Sequence, residues 1–356
     1  MEATTQTVMR TRTLRSGENT LEVSALCLGV MNLGVQLDKD ESYALLDRYF
    51  AAGGRFFDTA NNYGAWTETT HGTRAGDSER LLGRWIADRG VAGEVVVATK
   101  CGAGKLDPDR PLAGDAPTNF EGLSAAVVRE QLTGSLERLG LERVGVYYGH
   151  VDDRRLDAAE IADTFSALVE EGLVTIPGLS NTATWRLALA RERARATGRA
   201  PIGVWQQEHS VYWPRPGLAT TTVVDPEVID YAADQPDLTV ITYSPNQQGQ
   251  LVRPWMPVRP PYDHPGSTGR LRLVHAIAHE LGATANQVAL AWHLAGPSSR
   301  MQRVAGSDRS ALDQLPARRA AMIPVIGASR VSQLEESLGA LAVTLTGEHL
   351  AALDGA

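Results

Sequence analysis

Short apolar runs alternate with longer amphipathic segments along almost the whole chain. Strand-like runs rich in Val, Ile, Leu and aromatic residues fall at ALCLG (25–29), RFFDT (55–59), VVVATK (95–100), VGVYYG (144–149), VTIPG (174–178), IGVWQ (202–206), LTVITYS (238–244) and IPVIG (323–327). Between them, segments such as 41–53, 78–90, 126–140 and 159–172 carry apolar residues at helical spacing. Several stop at glycine, the residue that most readily turns the chain just past a helix end. Eight strands each followed by a helix predict an α/β fold, a closed parallel (β/α)8 TIM barrel. An open doubly wound sheet is the competitor. It expects a phosphate-binding G-x-G-x-x-G after its first strand, and ALCLGVMNLG lacks that spacing.

Residues 8–24 alternate polar and apolar around a glycine, which predicts a β-hairpin ahead of the barrel, preceded by a short polar tail without an apolar signal core. We read 1–356 as one domain, a length that barrels of this type commonly reach. Three long connections, 65–77, 102–122 and 246–269, leave the carboxyl ends of predicted strands. Loops on that face set substrate choice in α/β barrels, and loops of this length in a compact domain are usually lids or binding loops. Segment 298–321 is polar and Arg-rich and reads as an insertion before the last strand, without a legible role.

Composition narrows the function. A net charge of -8 argues against a general nucleic-acid binder, which needs a basic face. No apolar run approaches the ~20 residues of a membrane helix. Two cysteines, Cys27 and Cys101, cannot build a disulfide framework and read as small buried hydrophobes, which suits a reducing cytoplasm.

The chemistry concentrates at three strand ends. Asp58 closes the second apolar run, Tyr63 follows five residues later, Lys100 ends the third and His150 follows the fourth. In a parallel barrel that rim is where reactions occur. A phenol with an ordinary pKa near ~10 is a poor proton donor at neutral pH. A lysine ammonium beside it should lower that value, and a carboxylate should keep the buried ammonium charged. With an imidazole to hold the substrate oxygen, the set suits reduction of a carbonyl, the hydride coming from a nicotinamide.

RFFDTANNYG with GDSERLLGRW, VVVATKCG, and LERLGLERVGVYYGHVDD together resemble the motifs of the aldo-keto reductase family, along nearly the whole chain. The resemblance implies that Asp58, Tyr63, Lys100 and His150 form the family's catalytic tetrad. It also implies that Ser180 and Asn181 of GLSN, with Gln206 of WQQEHS, contact the nicotinamide carboxamide. Tyr243 of TYSP would stack on the nicotinamide ring and Ser244 would reach the pyrophosphate. In IPVIGASRVSQLEES, Gly327, Ser329, Arg330, Gln333 and Glu336 fall where the family binds phosphate and adenosine, and Gly29, Met31 and Asp58 join the nucleotide set. A loop running into a helix start offers free N–H groups to phosphate, and Arg330 suits a 2′-phosphate, so the expected cofactor is NADPH/NADP+. The sequence departs from the family at Val30, Gly149, His209, Asn246 and Ser337, which bears on pocket shape and adenine contacts.

Other signals point elsewhere. His275 and His279 sit four apart beside Glu280, a spacing that can bind metal but that here reads as an outer helix face. Asp152–Asp153 would suit a barrel glycosidase with Asp58, a reading that leaves Lys100 and Tyr63 unused. Trp66, Trp213 and Trp255 fall on predicted rim loops and are candidates for the substrate pocket. The expected activity is reversible reduction of an aldehyde or ketone, the substrate a sugar or natural-product intermediate. No nucleic-acid or membrane partner is expected. The alternative is a nucleotide-binding regulatory subunit of the potassium-channel β type, with little turnover.

Overall fold

Two strands, β1 (Thr11–Ser16) and β2 (Asn19–Ser24), pair antiparallel around Gly17 in the computed structural model, where Gly17 takes φ +57°. The residues described are 8–65, 72–107, 109, 118–218, 220, 222–253, 255–298 and 318–355. The hairpin closes the amino-terminal end of a barrel. Leu14 and Val23 are buried with the inward-facing residues Phe56, Val146, Ile176, Val204, Ile241 and Ile323.

The barrel comprises β3 (Cys27–Gly29), β4 (Phe56–Asp58), β5 (Val96–Cys101), β6 (Val144–Gly149), β7 (Val174–Ser180), β8 (Val204–Glu208), β9 (Thr239–Tyr243) and β10 (Met322–Ile326). Each pairs in parallel with the next, and β10 returns to β3 through Val325↔Cys27 and Ile326↔Leu28. All eight strands read from the sequence form, with ends shifted by a residue or two.

Strand side chains alternate between the barrel interior and the helical layer. The outward set packs against α1 (Lys39–Ala51), α2 (Asp77–Arg89), α3 (Ala125–Leu139), α4 (Ala158–Glu170), α5 (Thr184–Ala196) and α6 (Pro226–Asp234). Phe57 lies edge-on to Tyr49 at 5.2 Å and near Trp85 at 5.5 Å, and Tyr147 meets Phe165 at 5.9 Å. Helix ends follow local chemistry: Asp38 and Glu41 form a capping box on α1, and Gly90 and Gly140 end α2 and α3 in the left-handed conformation.

One strand-to-helix expectation is refined. Two helices, α7 (Pro265–Leu281) and α8 (Ala285–Ala295), lie between β9 and β10. Left-handed Gly282 ends the first, and a Thr284–Gln287 capping box starts the second. After β10 come α9 (Val331–Leu338) and α10 (Gly347–Gly355). No helix among the described residues is long and apolar enough to cross a membrane. Of the Arg-rich segment 298–321, residues 299–317 lie outside the described set.

Candidate active site

Inward parity carries the site. Below the rim the interior residues are Phe56, Ala98, Val146, Ile176, Val204 and Ile241. Two positions further along the same strands come Asp58, Lys100, Tyr148, Gly178, Gln206 and Tyr243. Apart from β7, where the position is Gly178, a strand whose interior side chain is apolar at its base thus delivers a polar one at its carboxyl end.

The turn after β4 brings Tyr63 back over this layer. Thr59 N–H donates to Ala98 O at 2.9 Å and Asn61 N–H to Lys100 O at 3.0 Å, so the turn continues along β5. Gly64 has φ +107°, and a Cβ there would sit 2.1 Å from Arg74 O, so glycine is required. The Lys100 side chain has no solvent exposure. Its Nζ donates to Asp58 Oδ1, to Thr59 O at 2.7 Å and to the Tyr63 hydroxyl at 3.3 Å. The other Asp58 oxygen accepts from Gln206 Nε2 at 2.8 Å. The His150 N–H donates to Cys101 O at 2.8 Å, and its ring stands edge-on to Tyr63 with centroids 5.8 Å apart. The structure therefore gathers all four residues singled out from the sequence.

Electrostatics sharpen their states. Burial pushes Lys100 down, but the Asp58 carboxylate and Tyr63 outweigh it, leaving a raised pKa and a charged ammonium. Burial pushes Tyr63 up, Lys100 pulls it down and Asp58 pushes it up, with a net rise. This corrects the sequence expectation of a lowered phenol: desolvation exceeds the lysine's pull, so Tyr63 keeps its proton at neutral pH. Burial, reinforced by Lys100, drives His150 well below its ordinary value, so its imidazole is neutral. Cys27 and Cys101 are buried free thiols raised by desolvation, hence inert.

The expected nucleotide residues line the adjoining rim. Ser180 is buried at the end of β7. Asn181 takes φ +52°, donates to His150 O at 2.9 Å and to Ser180 Oγ at 3.2 Å, and accepts from the Tyr243 hydroxyl at 2.8 Å. Ser244 takes φ +56°. Non-glycine residues in this region cost ~1–3 kcal/mol each and cluster at functional sites. Gly29 ends β3, with Met31 39% exposed beyond it. Gly327, Ser329 and Arg330 are exposed where the chain enters α9. Gln333 Oε1 accepts from the Ser329 N–H at 2.9 Å and from its hydroxyl at 3.0 Å. Glu336 is held by Thr284 and by Asn286 Nδ2, the latter at 2.6 Å.

The tryptophans separate. Trp66 lies outside the described residues. Trp213 is packed, with Arg270 over its ring at 5.1 Å and His209 at 6.0 Å, whereas Trp255 is 77% exposed. Asp152 is bound by Arg186 and Arg154, and Asp153 by Arg155, so those carboxylates hold loops in ion pairs. His275 and His279 are exposed on α7, and Glu280 meets His349 at 3.2 Å. Sequence reasoning missed two rim networks. Arg259 reaches Glu208 at the end of β8, and Gln247, in a left-handed turn, donates to Ser210 at 3.0 Å. Glu121 gathers three N–H donors behind Lys100. Neither has a spacing signal, because the partners come from separate loops.

A closed parallel barrel with an acid, a phenol, an ammonium and an imidazole packed on its carboxyl-end rim defines an oxidoreductase of the carbonyl-reducing kind. The sequence model described as Aldo/keto reductase family matches residues 25–356, and the chain belongs to that family. The chain is 32% identical over 351 residues to the oxidoreductase YrpG of Bacillus subtilis, covering 95% of this chain and 93% of that protein. It is 27% identical over 352 residues to norsolorinic acid reductase stcV of Emericella nidulans, covering 93% and 77% respectively. It is also 31% identical over 193 residues to norsolorinic acid reductase B of Aspergillus parasiticus, covering 52% and 47%. Enzymes of this family act on small carbonyl compounds, generally with a nicotinamide nucleotide.

Proposed function

We propose that this chain, as a single cytoplasmic barrel domain, catalyses the reversible NADPH-dependent reduction of an aldehyde or ketone to an alcohol. One observation carries the reading: Lys100 Nζ is held against Asp58 and lies 3.3 Å from the Tyr63 hydroxyl at the floor of the rim. Tyr63 holds a proton at neutral pH and passes it to the carbonyl oxygen. Lys100 stabilises the phenolate left behind, and Asp58 keeps that ammonium charged and fixed. Neutral His150 orients the carbonyl oxygen by hydrogen bonding.

The donor set beside these residues fits a nicotinamide. Ser180, Asn181 and Gln206 supply a hydroxyl and two amides, with Gln206 bonded to Asp58 and Asn181 to Ser180, a chemistry matched to a carboxamide. Tyr243 would lie against the ring and Ser244 near the pyrophosphate, with Gly29 and Met31 also in the nucleotide set. Gly327, Ser329, Arg330, Gln333 and Glu336 would hold the phosphate and adenosine. Exposed Arg330 at the start of α9 supports a 2′-phosphate and thus NADPH. When bound, the nucleotide supplies the hydride. Trp255 is the candidate substrate wall, and the relatives named norsolorinic acid reductases support a natural-product intermediate as substrate.

Tyr63→Phe should cut turnover at least ~100-fold, the scale of lost general-acid catalysis, while nucleotide fluorescence quenching keeps its midpoint. Near-normal turnover would mean that the acid is another group. Arg330→Ala should weaken NADPH binding and leave NADH binding unchanged. Equal weakening of both would remove the argument for the 2′-phosphate.

A further inference from the structure

We infer that Glu121 is a positioning residue for Tyr63, its carboxylate tying the ribbon that follows Lys100 to the turn that carries the phenol. The inference rests on Tyr63 acting as the general acid.

Glu121 Oε1 accepts three donors: Gly102 N–H at 2.8 Å, Gly104 N–H at 3.2 Å and Asn61 Nδ2 at 2.9 Å. Gly102 and Gly104 lie two and four residues beyond Lys100, and Asn61 lies two residues before Tyr63. The carboxylate therefore spans the elements bearing the ammonium and the phenol. Its setting is a hydrogen-bonded stem. Glu121 N–H donates to Gly104 O at 3.0 Å, Gly122 N–H to Gly102 O at 3.3 Å, and Lys105 bridges Phe120, so 102–107 and 118–122 form a two-stranded stem. Gly102 needs its φ of +96°, and a Cβ on Gly104 would lie 2.7 Å from the Glu121 carboxylate.

Two further ties fix the surroundings, one on the turn that carries Asn61 and one just beyond the stem. Gln131 of α3 also accepts from Asn61 Nδ2 at 2.9 Å. The Leu123 N–H donates to Asp153 Oδ2 at 3.0 Å, which joins the stem to the loop beyond His150. An ionised acceptor serving three N–H groups makes stronger bonds than a neutral one, so the junction sets how the turn at 59–63 sits on β5. The contact of 3.3 Å between Lys100 and Tyr63 depends on that seating. A misplacement of ~1 Å at a reacting group can cost ~10²-fold in rate. Glu121 touches neither substrate nor reacting atoms.

The test compares wild type, Glu121→Ala and Glu121→Gln, using NADPH and an aromatic aldehyde. For each protein, kcat is measured across pH, the nucleotide dissociation constant by fluorescence quenching, and the thermal midpoint by circular dichroism. Glu121→Ala should lower kcat roughly 10- to 100-fold, with nucleotide affinity unchanged. Its kcat should also fall at higher pH than in wild type, because a phenol drawn away from the ammonium has a higher pKa. Glu121→Gln, which keeps an acceptor oxygen, should lie between the two on both measures. Wild-type kcat and pH dependence in a folded Glu121→Ala overturn the inference alone, leaving Tyr63 as the acid. Should the alanine variant fail to fold, a glutamine variant indistinguishable from wild type overturns it equally. Absence of carbonyl turnover in wild type overturns both the inference and the reading beneath it.

Discussion

Lys100 is the residue on which the site depends. Its ammonium is buried without solvent exposure and is compensated by Asp58, the Thr59 carbonyl and the Tyr63 hydroxyl. Removing one partner of a buried ion pair leaves an uncompensated charge, at a cost of about 3–5 kcal/mol. Lys100→Met should therefore lower the unfolding free energy by about that amount, read from urea melts at neutral pH. A loss within error would show that the pair is much more hydrated than its burial indicates. The four reactive residues were legible because each follows a strand-like apolar run or its turn. The net direction of the Tyr63 pKa was not. It depends on how far burial outweighs the lysine, and desolvation is set by packing from β6, β8 and the returning turn rather than by spacing. The bond from Gln206 to Asp58 was hidden for a similar reason, since 148 residues separate them in the chain.

At the scale of elements, the hairpin and the strand that accepts it show how closely the barrel floor is fitted. A Cβ at Gly203, just before β8, would lie 2.1 Å from Arg15 O and 2.9 Å from Ile176 Cγ2. Overpacking of this kind costs about 1–3 kcal/mol. Gly203→Ala should shift the urea midpoint down while leaving the kinetics of the folded enzyme unchanged, because the rim lies at the opposite end of β8. An unchanged midpoint would mean that the hairpin is only loosely seated. The hairpin and all eight barrel strands were readable from periodicity. The demand for glycine at 203 was not, because the group it avoids belongs to an element nearly two hundred residues earlier. The pairing of 102–107 with 118–122 was likewise read only as a long loop, since its polar residues carry no alternation.

For the whole molecule, closure of the barrel buries imidazoles as well as apolar side chains. His209 and His293 pack with ring centroids 4.9 Å apart, beneath Trp292 and near Arg270. Burial drives His209 well below its ordinary value, with His293 and Arg270 adding to the effect, and lowers His293 to about 4. His150 is depressed in the same way. A depressed pKa stabilises the fold above the unfolded-state value near ~6.5, and that contribution is lost as pH falls toward the folded-state value. Stability should thus decline from about pH 6.5 downward, with each histidine adding a slope of up to ~1.4 kcal/mol per pH unit. His209→Phe should flatten the slope by up to one proton in urea melts across this range. An unaltered slope would place the uptake elsewhere. Lys100 acts in the opposite sense: its raised pKa means that its contribution is lost as pH rises through the folded-state value. Proton donation by Tyr63 beside charged Lys100 is tested most directly by the pH dependence of single-turnover NADPH oxidation by a saturating aldehyde. Wild type should show a neutral plateau and one alkaline fall as Tyr63 loses its proton, and Tyr63→Phe a rate at least ~100-fold lower without that fall. The same fall surviving in Tyr63→Phe would contradict proton donation by Tyr63.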